Sequence, residues 1–254
     1  MENMSIIETK IHLNNHYEFI KNIFMTEKLI SLEDNKFIYK DVNFLHILNF
    51  RKEDSKFEKF DIFKIKSDLL NCNNDLKLFT ANLYLYQPFI NNPFKEFKIR
   101  KTEKKFKYFQ KMEDWIYSSN VSCCFEKSYN FWDRIGDTLA YSLELDIKEH
   151  LVGFAKVIKK IESLGTFNDN ENFIFLNNFK KNEFKELNKQ RKEIVHYYQF
   201  ETTYKEKFHS VNSSESDLKK LWEWKKNMPN YFKEQLELSC EGFYNMYKLI
   251  EFSK

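Results

Sequence analysis

Apolar positions recur at steps of three and four residues over most of the second half of the chain. Phe125, Tyr129, Trp132, Gly136, Leu139, Leu143 and Ile147 trace one stripe, the spacing of a helix with a single buried face, and predict a long helix from about Tyr108. Asn130, Asp133, Asp137 and Glu144 run beside it as a polar flank. Asp146 followed by Glu149 has the form of a capping box. A second helix is therefore expected there, burying Ile147, Leu151, Phe154, Ile158 and Ile161 and stopped by Gly165. A polar loop, Asn168 to Asn172, leads to a third helix from about Phe173 or Asn178. The period fades beyond Phe200, and Ser210 to Ser216 reads as a loop. A fourth helix is expected near Asp217, kinked or restarted at Pro229, with Phe232, Leu236, Cys240, Phe243, Tyr247 and Ile250 on its buried face. Four such helices joined by short connections pack as an antiparallel bundle.

The first hundred residues are less periodic. Phe37 to Tyr39 and Phe60 to Ile65 have the look of short strands, and Leu76 to Ile90 mixes helix and strand spacing. Residues 1–100 are read as a mostly helical extension and residues 101–254 as the bundle, with Pro88 and Pro93 marking the break.

Composition supports an all-α protein. Of 254 residues 18% are aromatic, against four glycines and three prolines, so a large core and long helices are favoured over a turn-rich β architecture. Gly136, Gly153, Gly165 and Gly242 lie too far apart for a dinucleotide-binding fingerprint or a P-loop. Cys72, Cys123, Cys124 and Cys240 form no Cys-x-x-Cys pair and read as buried thiols in a reducing, cytoplasmic protein. Met1 to His16 lacks the pattern of a secretory signal, and no apolar run approaches membrane-spanning length. No membrane association is expected.

Net charge is only +3, too small to define a nucleic-acid binder by itself. Its distribution is uneven. Lys95 to Lys107 holds seven basic residues against Glu96 and Glu103, and Lys180 to Lys192 holds six against Glu183 and Glu186.

The second basic run contains the most informative departure from the pattern. Phe184, Leu187, Ile194 and Tyr198 form an apolar face with one place missing, and Arg191 fills it. A guanidinium stays charged at any cellular pH, and burying it unpaired costs several kcal/mol. It needs an anion, either an internal carboxylate such as Asp133 or Asp137 or a phosphate from outside. His196 follows five residues later and titrates near neutral pH. A five-residue step turns about 140° round a helix, so spacing alone does not put Arg191 and His196 on one face.

A C-terminal helical bundle whose third long helix carries Arg191-Lys-Glu-Ile-Val-His196 resembles the HEPN superfamily, whose hallmark is Arg, four to six residues, then His. The resemblance covers residues from about 105 to the end. Phe131-Trp-Asp133-Arg134-Ile is similar to an aromatic and Asp-Arg pattern of some members, and His196-Tyr197-Tyr198 is similar to the His-x-Tyr ending of HepT-type toxins. In those toxins the tyrosine, here Tyr198, is the target of a nucleotidyltransferase antitoxin.

The resemblance implies an endoribonuclease toxin or antiviral effector that needs no metal or cofactor. Two chains of a homodimer would bring their Arg191 and His196 to one cleft and cleave RNA by 2′-OH attack. Asp133, Lys192 and Glu193 would support that site, and Lys185 and Lys189 would contact RNA. Lys192 departs from the Asn, Asp or His that follows the arginine in many active members. It motivates an alternative, a non-catalytic HEPN module binding RNA or a partner protein. Blander readings stand beside these: Arg191 in an internal ion pair, His196 in a core or interface, and Tyr198 and Tyr197 as packing residues. Cys123 and Cys124 are read as core, Trp222 and Trp224 as packing, and His12 and His16 as too few ligands for a metal.

Overall fold

The computed structural model describes residues 6–52, 57, 60–92, 94, 98–100, 103–105, 110–196, 200–209 and 214–254. Its centre is a long helix, α4 (Met112–Ser142), built on the predicted stripe: Phe125, Trp132, Gly136 and Leu139 are all buried. Asp114 helps to fix the start by accepting the Lys111 N–H at 3.1 Å, a first-turn carboxylate satisfying an orphan donor.

Ahead of it come α1 (Ile6–Thr26), a single turn α2 (Asp34–Phe37) and a two-residue hairpin of β1 (Ile38–Tyr39) and β2 (Val42–Asn43). Next is α3 (Ile62–Tyr86). The strand expected over Phe60 to Ile65 is instead the start of this helix. Asp61 accepts the Phe63 N–H at 2.8 Å as N-cap, and Ile62, Ile65, Leu69, Cys72 and Leu76 then bury one face. A local cap and a tertiary partner outweigh the β-branched and aromatic residues that suggested a strand. The mixed spacing of Leu76 to Ile90 likewise resolves into the last turns of α3 and a short 3-10 turn, Gln87–Phe89.

α3 packs lengthwise on α4, and both meet the C-terminal helix α10 (Met228–Phe252). Buried Asn73 ties these layers together: its carbonyl accepts the Leu32 N–H at 2.7 Å, and its amide donates to Ser239 Oγ at 2.6 Å. A short antiparallel hairpin, β3 (Lys98–Arg100) and β4 (Glu103–Lys105), precedes α4 in the basic segment.

After α4 the chain departs from the predicted second helix. Asp146 and Glu149 do not start one; Glu149–Leu151 is a 3-10 turn, Leu151 is 42% exposed, and α5 (Phe154–Leu164) begins only after Gly153. The reason lies at the contact with α4. A Cβ on Gly136 would sit 2.7 Å from Phe154 N, so this glycine lets the first turn of α5 lie directly on α4. Asp133, one turn earlier, accepts the Phe154 N–H at 3.3 Å. Gly165 ends α5 at φ +76°, as expected.

The predicted third helix is two: α6 (Glu171–Lys181), capped by Asn170, and α7 (Glu183–His196), with Asn182 between them. The stretch beyond Phe200, where the period fades, is also helical: α8 (Phe200–His209) buries Phe200 and Tyr204. α9 (Glu215–Lys226) starts on a Ser214–Asp217 capping box, and Pro229 sits in the first turn of α10. The fold is all-α, with α4 in contact with α3, α5, α7, α8 and α10. Trp132 is the aromatic hub: it stacks on Phe179 at 3.7 Å and faces Gly242 so closely that a Cβ there would overlap the indole.

Candidate functional site

α7 is fastened to α4 by its first two apolar marks. Phe184 and Leu187 are buried, and Phe184 stacks on Tyr129 at 5.6 Å. The next place on the stripe is Arg191, half-buried, with its guanidinium carbon 4.5 Å from the centre of the Tyr129 ring. The seat reserved for a leucine is thus filled by a cation on an aromatic face, an attraction of about 0.5–2 kcal/mol. Arg191 Nε is buried with no acceptor among the described residues.

The internal ion pair considered from the sequence does not form among the described residues. Asp137 pairs with Arg134 at 2.8 Å, and Asp133 makes no salt bridge to Arg191, although it lies near enough to feel its charge. Burial raises the Asp133 carboxyl above its usual range, against the opposing pull of the Phe154 N–H, the Tyr129 hydroxyl, Arg134 and Arg191. Burial first, then the charge of the nearby Asp133 carboxylate, pushes the Tyr129 phenol up. Tyr129 therefore stands beside both predicted residues, its face under Arg191 and its phenol near the Asp133 carboxylate.

Lys185, Lys189, Lys192 and Glu193 are exposed. Helical spacing lines Lys185, Lys189 and Lys192 up along one strip of α7, and position 196 continues it, about 140° round the helix from Arg191. α7 is helical through His196. The His196 side chain and all of Tyr198 lie outside the described residues.

Two cavities flank Arg191's helix along α4. One of about 320 Å³ is lined by Tyr129, Asp133, His150, Gly153, Lys156 and Asn188. His150 carried no signal in the sequence, because it sits in an irregular turn and comes to line the same cavity as Asp133 only when the chain before α5 is laid on α4. The other, about 300 Å³, lies between α4 and the facing parts of α7 and α8 and includes Trp115, Ser118, Ser122, Cys123, Glu126 and Glu201 in its wall. Cys123, read as core, is only half-buried and belongs to this wall, whereas Cys124 is fully buried. Trp222 is buried as expected, and Trp224 lies against Phe200 at 4.9 Å.

Beneath the second cavity is a charged cluster that sequence reasoning missed. Lys225 is fully buried and its ammonium lies 3.1 Å from Asp114 and 3.0 Å from Glu201. It also lies 4.5 Å from the Tyr204 ring centre, and Ser118 donates to the same Glu201 oxygen. Within a Lys-rich helix nothing distinguishes Lys225 from its solvated neighbours.

A family model described as Cthe2314-like HEPN matches residues 69–251, from within α3 to the last turns of α10. The chain belongs to the HEPN family. Neither the curated proteins nor the solved structures contain a significant match to this HEPN chain. HEPN domains are RNA-binding and RNA-cleaving modules that commonly dimerise. In this HEPN protein no described helix is long and apolar enough to cross a membrane. Among the described residues no three His, Cys, Asp or Glu side chains gather as a metal site, and His12 and His16 stand exposed on α1.

Proposed function

We propose that this HEPN protein is an endoribonuclease, a toxin or antiviral effector that cleaves RNA in the cleft of a homodimer without a metal ion. The observation that carries the reading is Arg191. It is a permanent cation held half-buried by Tyr129, with no carboxylate in contact among the described residues, on a helix whose outer strip is basic. A phosphate oxygen is the partner such a guanidinium lacks.

In this mechanism His196 of one protomer takes the proton of a ribose 2′-OH as the 2′-oxygen attacks phosphorus. The P–O5′ bond breaks, and the partner subunit's His196 gives a proton to the leaving 5′-oxygen. Arg191 binds the phosphate and the charge that grows on it. A two-fold axis lets one motif supply both acid and base. Asp133, through Tyr129, positions Arg191, while Lys185, Lys189 and Lys192 hold flanking phosphates.

The test is incubation of purified protein with cellular RNA in the presence of a chelator, beside Arg191→Ala and His196→Ala. Wild type is expected to leave 2′,3′-cyclic phosphate and 5′-hydroxyl ends, and each variant to lose about 100-fold or more in rate. Equal cutting by all three, or cutting by none, rejects the reading. One observation favours a second reading, a non-catalytic RNA-binding module: Arg191 and position 196 lie on different sides of a regular α7. Salt-sensitive RNA binding with no cleavage would support that alternative.

A further inference from the structure

α1 is fastened to the body at one end. Ile20 is buried, Ile23 and Phe24 pack against the core, and the Lys77 ammonium of α3 lies 4.8 Å from the centre of the Phe24 ring. From Lys10 to Phe19, by contrast, every residue is exposed, a helical overhang of about 14 Å. The buried face does not stop where the body does. Leu13, Tyr17, Ile20 and Phe24 follow one another at steps of four, three and four, so a single stripe runs from the anchored turns out into solvent. Ile11 and Phe19 stand on the opposite side of the same turns. Ile11, Leu13, Tyr17 and Phe19 are each between 53% and 64% exposed.

A helix this short is marginal in water by itself, and one that is apolar on two sides is built to be enclosed. Charge narrows what encloses it. α1 sets Glu8 and Glu18 against Lys10 and Lys21, unlike the Lys/Arg surplus with which helices hold RNA or a lipid surface. Area narrows it further. The exposed parts of the four side chains amount to roughly 400 Å², so one overhang seated on another protein buries about 800 Å² in all, no more than a chance contact. Two overhangs related by a two-fold axis, each seated on the other's subunit, bury about 1,600 Å², the ordinary size of a stable interface.

We propose that the exposed half of α1 is a dimerisation arm covered by a second copy of this chain, which encloses Leu13 and Tyr17 on one side and Ile11 and Phe19 on the other. α1 reaches the body through α3, whereas α7 lies on α4, so the arm adds to any contact made around Arg191 and does not replace it. The inference rests on the RNA-cleaving reading for the shared cleft, and it names what holds the two subunits together.

The test is the mass of the full-length protein in solution over a dilution series, read by light scattering. Wild type is expected to be a dimer at micromolar concentration. Leu13→Glu combined with Tyr17→Glu should raise the dissociation constant about ten-fold or more, and Ile11→Ser combined with Phe19→Ser should act in the same direction. All four side chains are exposed in the single chain, so both variants should keep the near-UV circular dichroism of a folded core. Hydrogen exchange places the contact: the amides of residues 10–19 should be protected in the dimer and lose that protection on dilution and in either variant. A monomeric wild type, a dimer that neither variant weakens, or a dimer whose α1 amides exchange freely overturns the arm. A dimer that depends on α1 in a protein that cleaves no RNA keeps the arm and removes the nuclease reading. Cleavage lost in Arg191→Ala, beside a dimer indifferent to the α1 variants, keeps the nuclease and removes the arm.

Discussion

The guanidinium of Arg191 lies 4.5 Å from the centre of the Tyr129 ring, and that ring, itself stacked on Phe184, makes a half-buried cation tolerable. The aromatic face offsets part of the lost hydration without neutralising the charge, as a carboxylate would. An arginine held this way keeps its affinity for a phosphate.

Tyr129→Phe keeps the platform and loses only the hydroxyl near Asp133, so RNA cleavage should fall a few-fold. Tyr129→Leu removes the platform and should cost about 0.5–2 kcal/mol in stability and about ten-fold or more in cleavage rate. Urea unfolding and initial rates on one RNA separate the two effects. Equal behaviour of the two variants would show that the ring does not position Arg191.

Gly136 sets the distance between α4 and α5. In Gly136→Ala the new methyl meets Phe154 backbone atoms at 2.7 and 2.8 Å, and backbone cannot swing aside as a side-chain tip can. A loss of about 1–3 kcal/mol is expected, together with loosening of the Phe154 N–H bond to Asp133. Thermal unfolding measures the first, and amide hydrogen exchange at Phe154 the second.

Lys225 is fully buried, and its ammonium faces both Asp114 and Glu201. Lys225→Met removes the buried ammonium from both carboxylates, and a loss of about 3–5 kcal/mol in unfolding free energy is expected. Combining it with Glu201→Gln should recover part of that loss, and a double-mutant cycle reads the coupling. Additive losses would mean that the cluster is only packed.

Asp137 is 5% exposed, and its pairing with Arg134 lacks hydrogen-bond alignment. Burial therefore dominates and raises its carboxyl from 3.8 to about 6. A carboxyl that binds its proton more tightly in the folded chain contributes stability that is full below pH 3.8 and lost as pH rises through about 6. Asp137→Asn, which never ionises, should be more stable than wild type at pH 7.5 by up to about 3 kcal/mol. The advantage should shrink as pH falls toward 4. Urea titrations at the two ends of that window check the sign.

The α4 and α10 stripes were legible because each helix buries one face for its whole length, so the period survives in the sequence. Arg191's seat was legible for the same reason, since a charge stands out on an apolar stripe. The start of α5 was not, because Gly136 on another helix decided it, and the Asp146–Glu149 signal had no tertiary partner. The α6–α7 break at Asn182 interrupts the backbone without interrupting the run of apolar residues on either side. His196 and Tyr198 were named from the sequence, and their side chains lie outside the described residues.

By itself the sequence determined that this chain is helical, where its longest helices bury their faces, and that Arg191 occupies an apolar place. These follow from period, and period is a property of a single element. Only the tertiary structure decided that Tyr129 lies under Arg191, that His150 shares a cavity with Asp133, that Cys123 faces a pocket while Cys124 faces the core, and that Lys225 is buried. Those facts depend on which helices meet and how closely. A lysine in solvent and a lysine in a core are spelled alike until a second helix arrives to cover one of them.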